Sequence, residues 1–447
     1  MNEADATTPL LLNDNGGWCW FQDERALIHG GKLWIGSVAS NRGADGDTRA
    51  GNIEVTTHDF ATGQTERFVL SERLEDDDHN VPALYVRPDG RVLAIYSKHS
   101  SDNFARWRIT TQPGDVSAWE PEQTFRNGSD YCYNNVYALT QLGDQLFSFH
   151  RGLDRNPNYL VSDDHGSTWR YGGKLLSWVP DPNDPKATGR DGRRPYVRYA
   201  SNDRDAIHFI STEDHPRGYD NSIYHGVARV IDGSLMVTHT DGRVIGPLAD
   251  SPDAKIQPTD LTKVFAGDAN RVGWTVDLRL DAEGHPVAVF STQHGDGDVR
   301  DDTHAGGQDL RYHYARWDGT RWHEHEIAYA GQALYAPEVD YPGLAAIDPS
   351  DPATVYISTN ADPESGEPLI SAADNQRHYE LFRGRTPDLG RTWEWKPITR
   401  DSEHDHLRPI VPPGDPDRAP LLWLAGRLYD FCNYDLRVMM HPSPREV

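Results

Sequence analysis

Three cysteines in 447 residues, Cys19, Cys132 and Cys432, are widely spaced and odd in number. They make neither a disulfide framework nor a cysteine metal pattern. No run of about 18 apolar residues occurs, so no membrane-spanning helix is expected. Basic residues are scarce: 44 Lys and Arg stand against 69 Asp and Glu, a formal net charge of −25. That deficit argues against nucleic acid or a membrane surface as the main partner. An acidic polysaccharide stays open, provided that a local basic patch holds it. The opening MNEADATTPLLLN has no basic segment and no long apolar one, so no secretory signal is expected in this chain. Localisation is conditional on that: secreted or periplasmic if a leader has been removed, cytoplasmic otherwise.

Long helical patterns are also few, while Trp (13), Tyr (20), Gly (39) and Pro (30) are plentiful. This composition points to an all-β protein, in which repeats are the first thing to look for. One unit recurs, a turn followed by a short apolar run. It appears as "GGKLWIGSVA" from Gly30, "DGRVLAIYSK" from Asp89, "GDQLFSFHR" from Gly143 and "RDAIHFIST" from Arg204. Three more copies follow: "GHPVAVFST" from Gly284, "PATVYIST" from Pro352 and "APLLWLAG" from Ala419. Another strand-like segment precedes each, and Asp-Gly between two such runs is the strongest short hairpin signal. "LRYHYARWDGTRWHEHEI", Leu310 to Ile327, is a further clear hairpin. Hairpin units with a period of roughly 60 residues are the signature of a β-propeller, and seven copies predict seven blades. Proline-rich stretches at 180–189 and 412–420 read as loops between strands, and one domain spanning 1–447 is expected.

"SDDHGSTW" (Ser162–Trp169) and "TPDLGRTW" (Thr386–Trp393) both fit the Asp-box pattern S/T-x-D-x-G-x-T-W. Such a turn uses the Asp to accept backbone N–H bonds, the Gly for an unusual φ and the Trp to pack on the blade. The role is structural, not catalytic. Asp boxes also occur in sialidases, but the Arg-Ile-Pro motif near the sialidase N-terminus has no counterpart in "WCWFQDERALIHGG".

Polar residues recur at one topological position. His79 lies ten residues before Asp89 and His99 nine after Gly90. At about 3.3 Å per residue the two arms of the hairpin bring both to the end far from the turn. Tyr133 and Arg151 flank the next hairpin, and Tyr196 and His215 the one after. Further on, His294 ends "AVFSTQH" and Asn360 ends "VYISTN". In a propeller such strand ends converge on one face, so a single cleft is expected there. Polar residues also simply cover loops at strand ends, and that bland alternative applies to each one singly.

The segments "NGGWCWFQDERALI", "DDHNVPALYVRPDGRVLAIYSKH", "RPYVRYAS", "IHFISTEDHPR", "NSIYHG" and "GLAAIDPSDPATVYIST" resemble the BNR-repeat seven-bladed propellers, as does the C-terminal "ELFRGRTPDLGRTWEWKPIT". That group includes the ulvan lyases and rhamnosyl-glucuronate lyases, with a related rhamnosidase branch. The resemblance implies β-elimination at a 4-linked glucuronate. It also implies a site containing His79, His99, Tyr133 and Arg151, with Tyr131 and Tyr137 as alternatives for the tyrosine. Tyr196 and His215 match further cleft positions, and Arg194 and Tyr224 join them as candidate substrate-binding residues.

The residue types suit that chemistry. The C5 proton of a uronate is very weakly acidic, so the adjacent carboxylate must be neutralised as charge develops. Arg151 is always charged and can grip a carboxylate with two hydrogen bonds. A base must take the proton and an acid must protonate the leaving O4. His79 and Tyr133 are the expected acid/base pair, with His99 a near-equal candidate. Arg190, Arg193, Arg194 and Arg198 in "GRDGRRPYVR" are the expected basic patch, or else a solvated loop. The chemistry requires no cofactor. Asp296, Asp298, Asp301 and Asp302 offer oxygen ligands for a structural Ca²⁺, without the EF-hand register, and equally make a solvated loop. Two other functions compete with a lyase acting on an acidic polysaccharide. One is a glycosidase: a retaining or inverting one needs a carboxylate pair, for which Glu338 and Asp340 are the tempting cluster, whereas an exo-acting rhamnosidase of the related branch would instead use a histidine. The other is a propeller that only binds glycan.

Overall fold

Each of the seven repeated segments is the second strand of an antiparallel sheet. In a computed structural model of the chain these strands are Lys32–Val38, Val92–Ser97, Gln145–Arg151, Ala206–Ser211, Pro286–His294, Thr354–Thr359 and Leu421–Asp430. The structure describes residues 8–178, 181, 183–187, 194–253, 255–295, 306–336 and 338–446. Among them seven sheets follow one another along the chain, six with four strands and one with six. The fold is a seven-bladed β-propeller. The one α-helix among the described residues, Gly46–Arg49, has four residues, and no helix is long and apolar enough to cross a membrane.

The second strands read as continuous apolar runs because both of their faces are covered, as in any sheet packed on two sides. Val92–Ser97 is buried at every position. Fourth strands such as Gln123–Arg126 are polar and largely exposed.

Contacts divide the chain into two compact units. The first runs to Asp154 and adds Asn158–Gly173 and Ile410–Glu446. It carries blades 1 (Ala26–Ser71), 2 (Ala83–Arg126) and 3 (from Cys132), and most of blade 7. In blade 7 the N-terminal strand Leu10–Asn13 lies antiparallel to Asn433–His441, with Leu10 opposite Met440. Between blades 2 and 3, Leu93, Ile95 and Trp107 pack with Tyr131, Val136 and Leu146. Burial of each such side chain is worth about 1.5–3 kcal/mol.

The second unit, Lys174–Pro409, holds blades 4 (Val197–Phe265), 5 (Arg271–Gly331) and 6 (Ala345–Pro397). Blade 4 is the six-stranded sheet. Its third strand, Ile223–Ile231, pairs with Ser234–Thr238 at one end and with Thr262–Phe265 at the other. Ile210 and Phe265 of blade 4 pack on Leu278, Ala288 and Phe290 of blade 5.

The two Asp-box turns are built alike. Asp164 accepts the Thr168 backbone N–H at 2.8 Å and the Thr168 hydroxyl at 2.7 Å. Asp388 does the same with Thr392, at 2.8 and 2.9 Å. Gly166 and Gly390 adopt φ of 85° and 93°, where a side chain would be strained.

Candidate functional site

In the first unit the hairpin of blade 2 sets His79 and His99 on one another. Register pairs Val86 with Val92 at the turn and Ala83 with Ile95 farther out, so the arms stay matched toward the open end. There the chain enters through a 3₁₀ turn, Asp78–Asn80, whose cap is Asp77. The Asp77 carboxylate accepts the His79 backbone N–H at 2.9 Å. Its Oδ1 takes His79 Nδ1 at 2.7 Å and its Oδ2 takes His99 Nδ1 at 2.9 Å. One carboxylate thus holds two imidazoles, whose rings stack 3.8 Å apart and 8° from parallel. Phe431 stands edge-on to both rings, at 5.3 and 5.5 Å. Glu75 steadies the second arm by accepting the His99 backbone N–H at 2.9 Å.

Proton positions follow from the acceptor. Although burial works against its charge, the two imidazoles hold Asp77 far below the ordinary carboxylate range. Ionised, it only accepts, so both Nδ1 atoms carry hydrogen. Burial also opposes charge on His79, but the acidic groups around it, Cys19, Asp77, Tyr133 and Asp78, hold its pKa well above the usual value. Burial and the neighbouring His79 charge lower His99 to about 4. The surroundings thus push the two imidazoles in opposite directions, His79 toward its charged form and His99 toward its neutral one. Among the described residues no hydrogen bond uses either Nε2, so a protonated His79 offers an N–H there and a neutral His99 a lone pair. Two titratable groups pushed in opposite directions by their surroundings are a usual basis for acid and base roles.

Blade 3 brings the tyrosine and the arginine alongside. Cys132 lies opposite Arg151, and a bulge between Cys132 and Asn135 interrupts the pairing. Tyr133 sits in that bulge at φ 70°, a left-handed conformation that costs a bulky residue of the order of 1–3 kcal/mol. Its ring lies 5.8 Å from His79 and 6.3 Å from His99. The Arg151 guanidinium sits over the same ring at 4.8 Å and donates to the hydroxyl at 3.4 Å. Of the alternatives, Tyr131 is fully buried and donates its hydroxyl to Asn134 at 2.8 Å, while Tyr137 pairs with Phe147 deep in the sheet. Tyr133 is the tyrosine beside the histidines. Metal-type ligands also meet here: Cys19, Asp78 and His79, and likewise Asp77, His79 and His99, bring one ligand atom each within 4.8 Å of one another.

In the second unit Asp214 ties two more candidates together. It accepts the backbone N–H of Arg194 at 2.8 Å and of His215 at 2.7 Å. Burial raises its pKa to about 6. His215 Nδ1 accepts the Arg217 N–H at 3.0 Å, and its Nε2 lies 3.7 Å from Glu338. Tyr196 and Trp274 pack against the His215 ring at 5.4 and 5.1 Å. Tyr224 donates its hydroxyl to Glu213 at 2.9 Å.

One expectation is corrected. Arg198 is no part of a surface basic patch. It is fully buried and paired with Asp277 at 3.3 Å, because it lies on the first strand of blade 4. Arg190 and Arg193, and the acidic loop residues Asp296, Asp298, Asp301 and Asp302, lie outside the described residues. Sequence reasoning passed over Asp77, Phe431 and Trp274. The signal for Asp77 was there in "DDDHN", a carboxylate two residues before the histidine, in capping position.

Comparison with curated protein sequences gives no match. Among solved structures, a PL25 ulvan lyase bound to -[GlcA(1-4)Rha3S]- is similar, with a TM-score of 0.68 over 96% of this chain and 95% of its own at 14% identity. A second PL25 ulvan lyase structure gives 0.67 over the same shares. At such identity the likeness speaks for the fold. A sequence model described as "BNR repeat-containing family member" matches residues 40–330, well over half of the chain, and the chain belongs to that family.

Proposed function

We propose that this protein is a polysaccharide lyase that cleaves a 4-linked glucuronate by β-elimination, leaving a 4,5-unsaturated uronate. The observation that carries the reading is the set of four side chains in the first unit: two stacked histidines on one carboxylate, with Tyr133 and Arg151 beside them. Arg151 neutralises the substrate carboxylate, so that negative charge can spread onto it as the C5 proton leaves. Neutral His99 takes that proton on Nε2. The electron pair of the C5–H bond becomes the C4=C5 double bond, and the C4–O4 bond breaks. Cationic His79, whose Nε2 carries a proton, protonates O4, and the Tyr133 hydroxyl orients the leaving oxygen or relays that proton. Asp77 fixes both rings and keeps the charges apart.

The fold it shares with an ulvan lyase bound to -[GlcA(1-4)Rha3S]- makes a rhamnose–glucuronate polymer such as ulvan the first substrate to try. The test is the mass of the products. An elimination fragment lacks the elements of water that a hydrolysis fragment contains. Fragments carrying the added water, or free rhamnose alone, would transfer the protein to the rhamnosidase branch. Binding of the polymer without products would make it a glycan-binding propeller.

A further inference from the structure

We infer a second, non-catalytic site on blade 5: His294, His313 and Glu326 form a binding site for a divalent transition-metal ion of the zinc type. The three residues come from three consecutive strands, Pro286–His294, Leu310–Trp317 and Trp322–Gly331. Register brings them to one face. His313 lies opposite Phe290, which is four residues from His294 and so on its side of the sheet, and on the other flank His313 lies opposite Glu326. One ligand atom from each falls within 4.8 Å of the others. Glu326 Oε2 is 3.9 Å from His294 Nε2 and 4.0 Å from His313 Nε2. Both Nε2 atoms also meet the Thr292 hydroxyl, at 2.8 and 2.9 Å. In a tetrahedral zinc site with bonds of about 2.0–2.2 Å neighbouring ligand atoms stand about 3.3–3.6 Å apart, so Glu326 would close on the two histidines by roughly half an ångström.

The surroundings fit an ion better than a plain hydrogen-bond cluster. Glu324 accepts His313 Nδ1 at 2.6 Å. That is the carboxylate–histidine arrangement that turns the other ring nitrogen toward a metal and raises its basicity. Phe290 stacks on the His313 ring at 4.9 Å and Phe265 of blade 4 packs against it at 5.3 Å, which fixes its orientation. Arg311 is the opposing charge nearby. It is gripped by Asp309 with two bonds of 2.7 Å and takes only Oε1 of Glu326, leaving Oε2 for the ion. Glu326 is 38% exposed and His294 17%, an opening through which the ion and its remaining waters can enter. Two imidazoles and a carboxylate select zinc and its transition-metal neighbours over calcium or magnesium, which prefer all-oxygen sites. The bound ion would staple three strands of the blade.

Cobalt(II) reports on such a site through its visible absorption. Titration of the full chain with Co²⁺ is expected to give a band that saturates at one equivalent and is displaced by Zn²⁺. His294→Ala and Glu326→Gln should abolish it, and Glu324→Gln should weaken it by about 10- to 100-fold. Both His294 and Glu326 reach solvent, so these variants are expected to keep the fold, as circular dichroism would verify. His99→Ala should keep the band, separating this site from the histidine pair of blade 2. No band on the wild-type protein, a band unaffected by His294→Ala and Glu326→Gln, or a band lost in His99→Ala would overturn the assignment.

Discussion

Asp77 binds two imidazoles with one carboxylate, and stacked rings 3.8 Å apart do not both carry charge readily. The pH dependence of turnover follows from that. His99 must be neutral, so activity should rise as pH passes about 4, its lowered pKa. His79 must be protonated, so activity should hold through neutrality and fall only as pH climbs through its raised pKa, well above the usual histidine value. A bell with these limbs belongs to the coupled pair and should be read as such. Asp77→Asn removes the negative charge that supports His79, so the alkaline limb should move to lower pH. A merely structural role for Asp77 would lower the rate without moving the limb. Arg151→Ala should reduce kcat by about 10² or more. His79→Ala, His99→Ala and Tyr133→Phe should each cost roughly 10² to 10⁴, and pairs of them far less than the product of the single losses. Steady-state kinetics on the folded variants would measure each loss. The meeting of His79 with His99 and of Tyr133 with Arg151 was legible in sequence, since strand register fixes which arm ends coincide. The opposite shifts of the two histidines were not, because they depend on burial and on a carboxylate shared in space.

At the scale of the element, the second strands of the blades were the easiest to read. Covered on both faces, they keep their apolar character at nearly every position, as in Val92–Ser97. Short polar fourth strands such as Gln123–Arg126 leave no such mark, and neither do the two extra strands of blade 4. Arg198 misled for the complementary reason: a charged residue in a loop-like arginine run lies on a first strand, neutralised by Asp277. The Asp-box turns separate stability from chemistry. Asp164→Ala removes the acceptor for two bonds from Thr168 and one from Ser162. It should lower stability by about 1–2 kcal/mol and leave kcat of the folded protein unchanged, which thermal unfolding and kinetics on the same sample would establish.

Taken whole, the protein carries a formal charge of −25, while the proposed substrate is a polyanion. Long-range repulsion between them should be screened as ionic strength rises from about 0.01 to 0.1 M, where the Debye length shortens to about 10 Å. The Arg151 contact, in a buried setting, should be screened much less. KM for the polymer is therefore expected to fall over that range, and a KM that only rises would mean that exposed basic groups dominate binding. The central claim is elimination, and its most direct test is optical. A C=C bond conjugated with the uronate carboxylate absorbs in the ultraviolet, whereas a hydrolysis product has no such chromophore. With ulvan, the wild-type protein is expected to produce steadily growing ultraviolet absorbance that Arg151→Ala and His99→Ala nearly abolish. Chain cleavage by the wild-type protein with no growth in absorbance would contradict the claim.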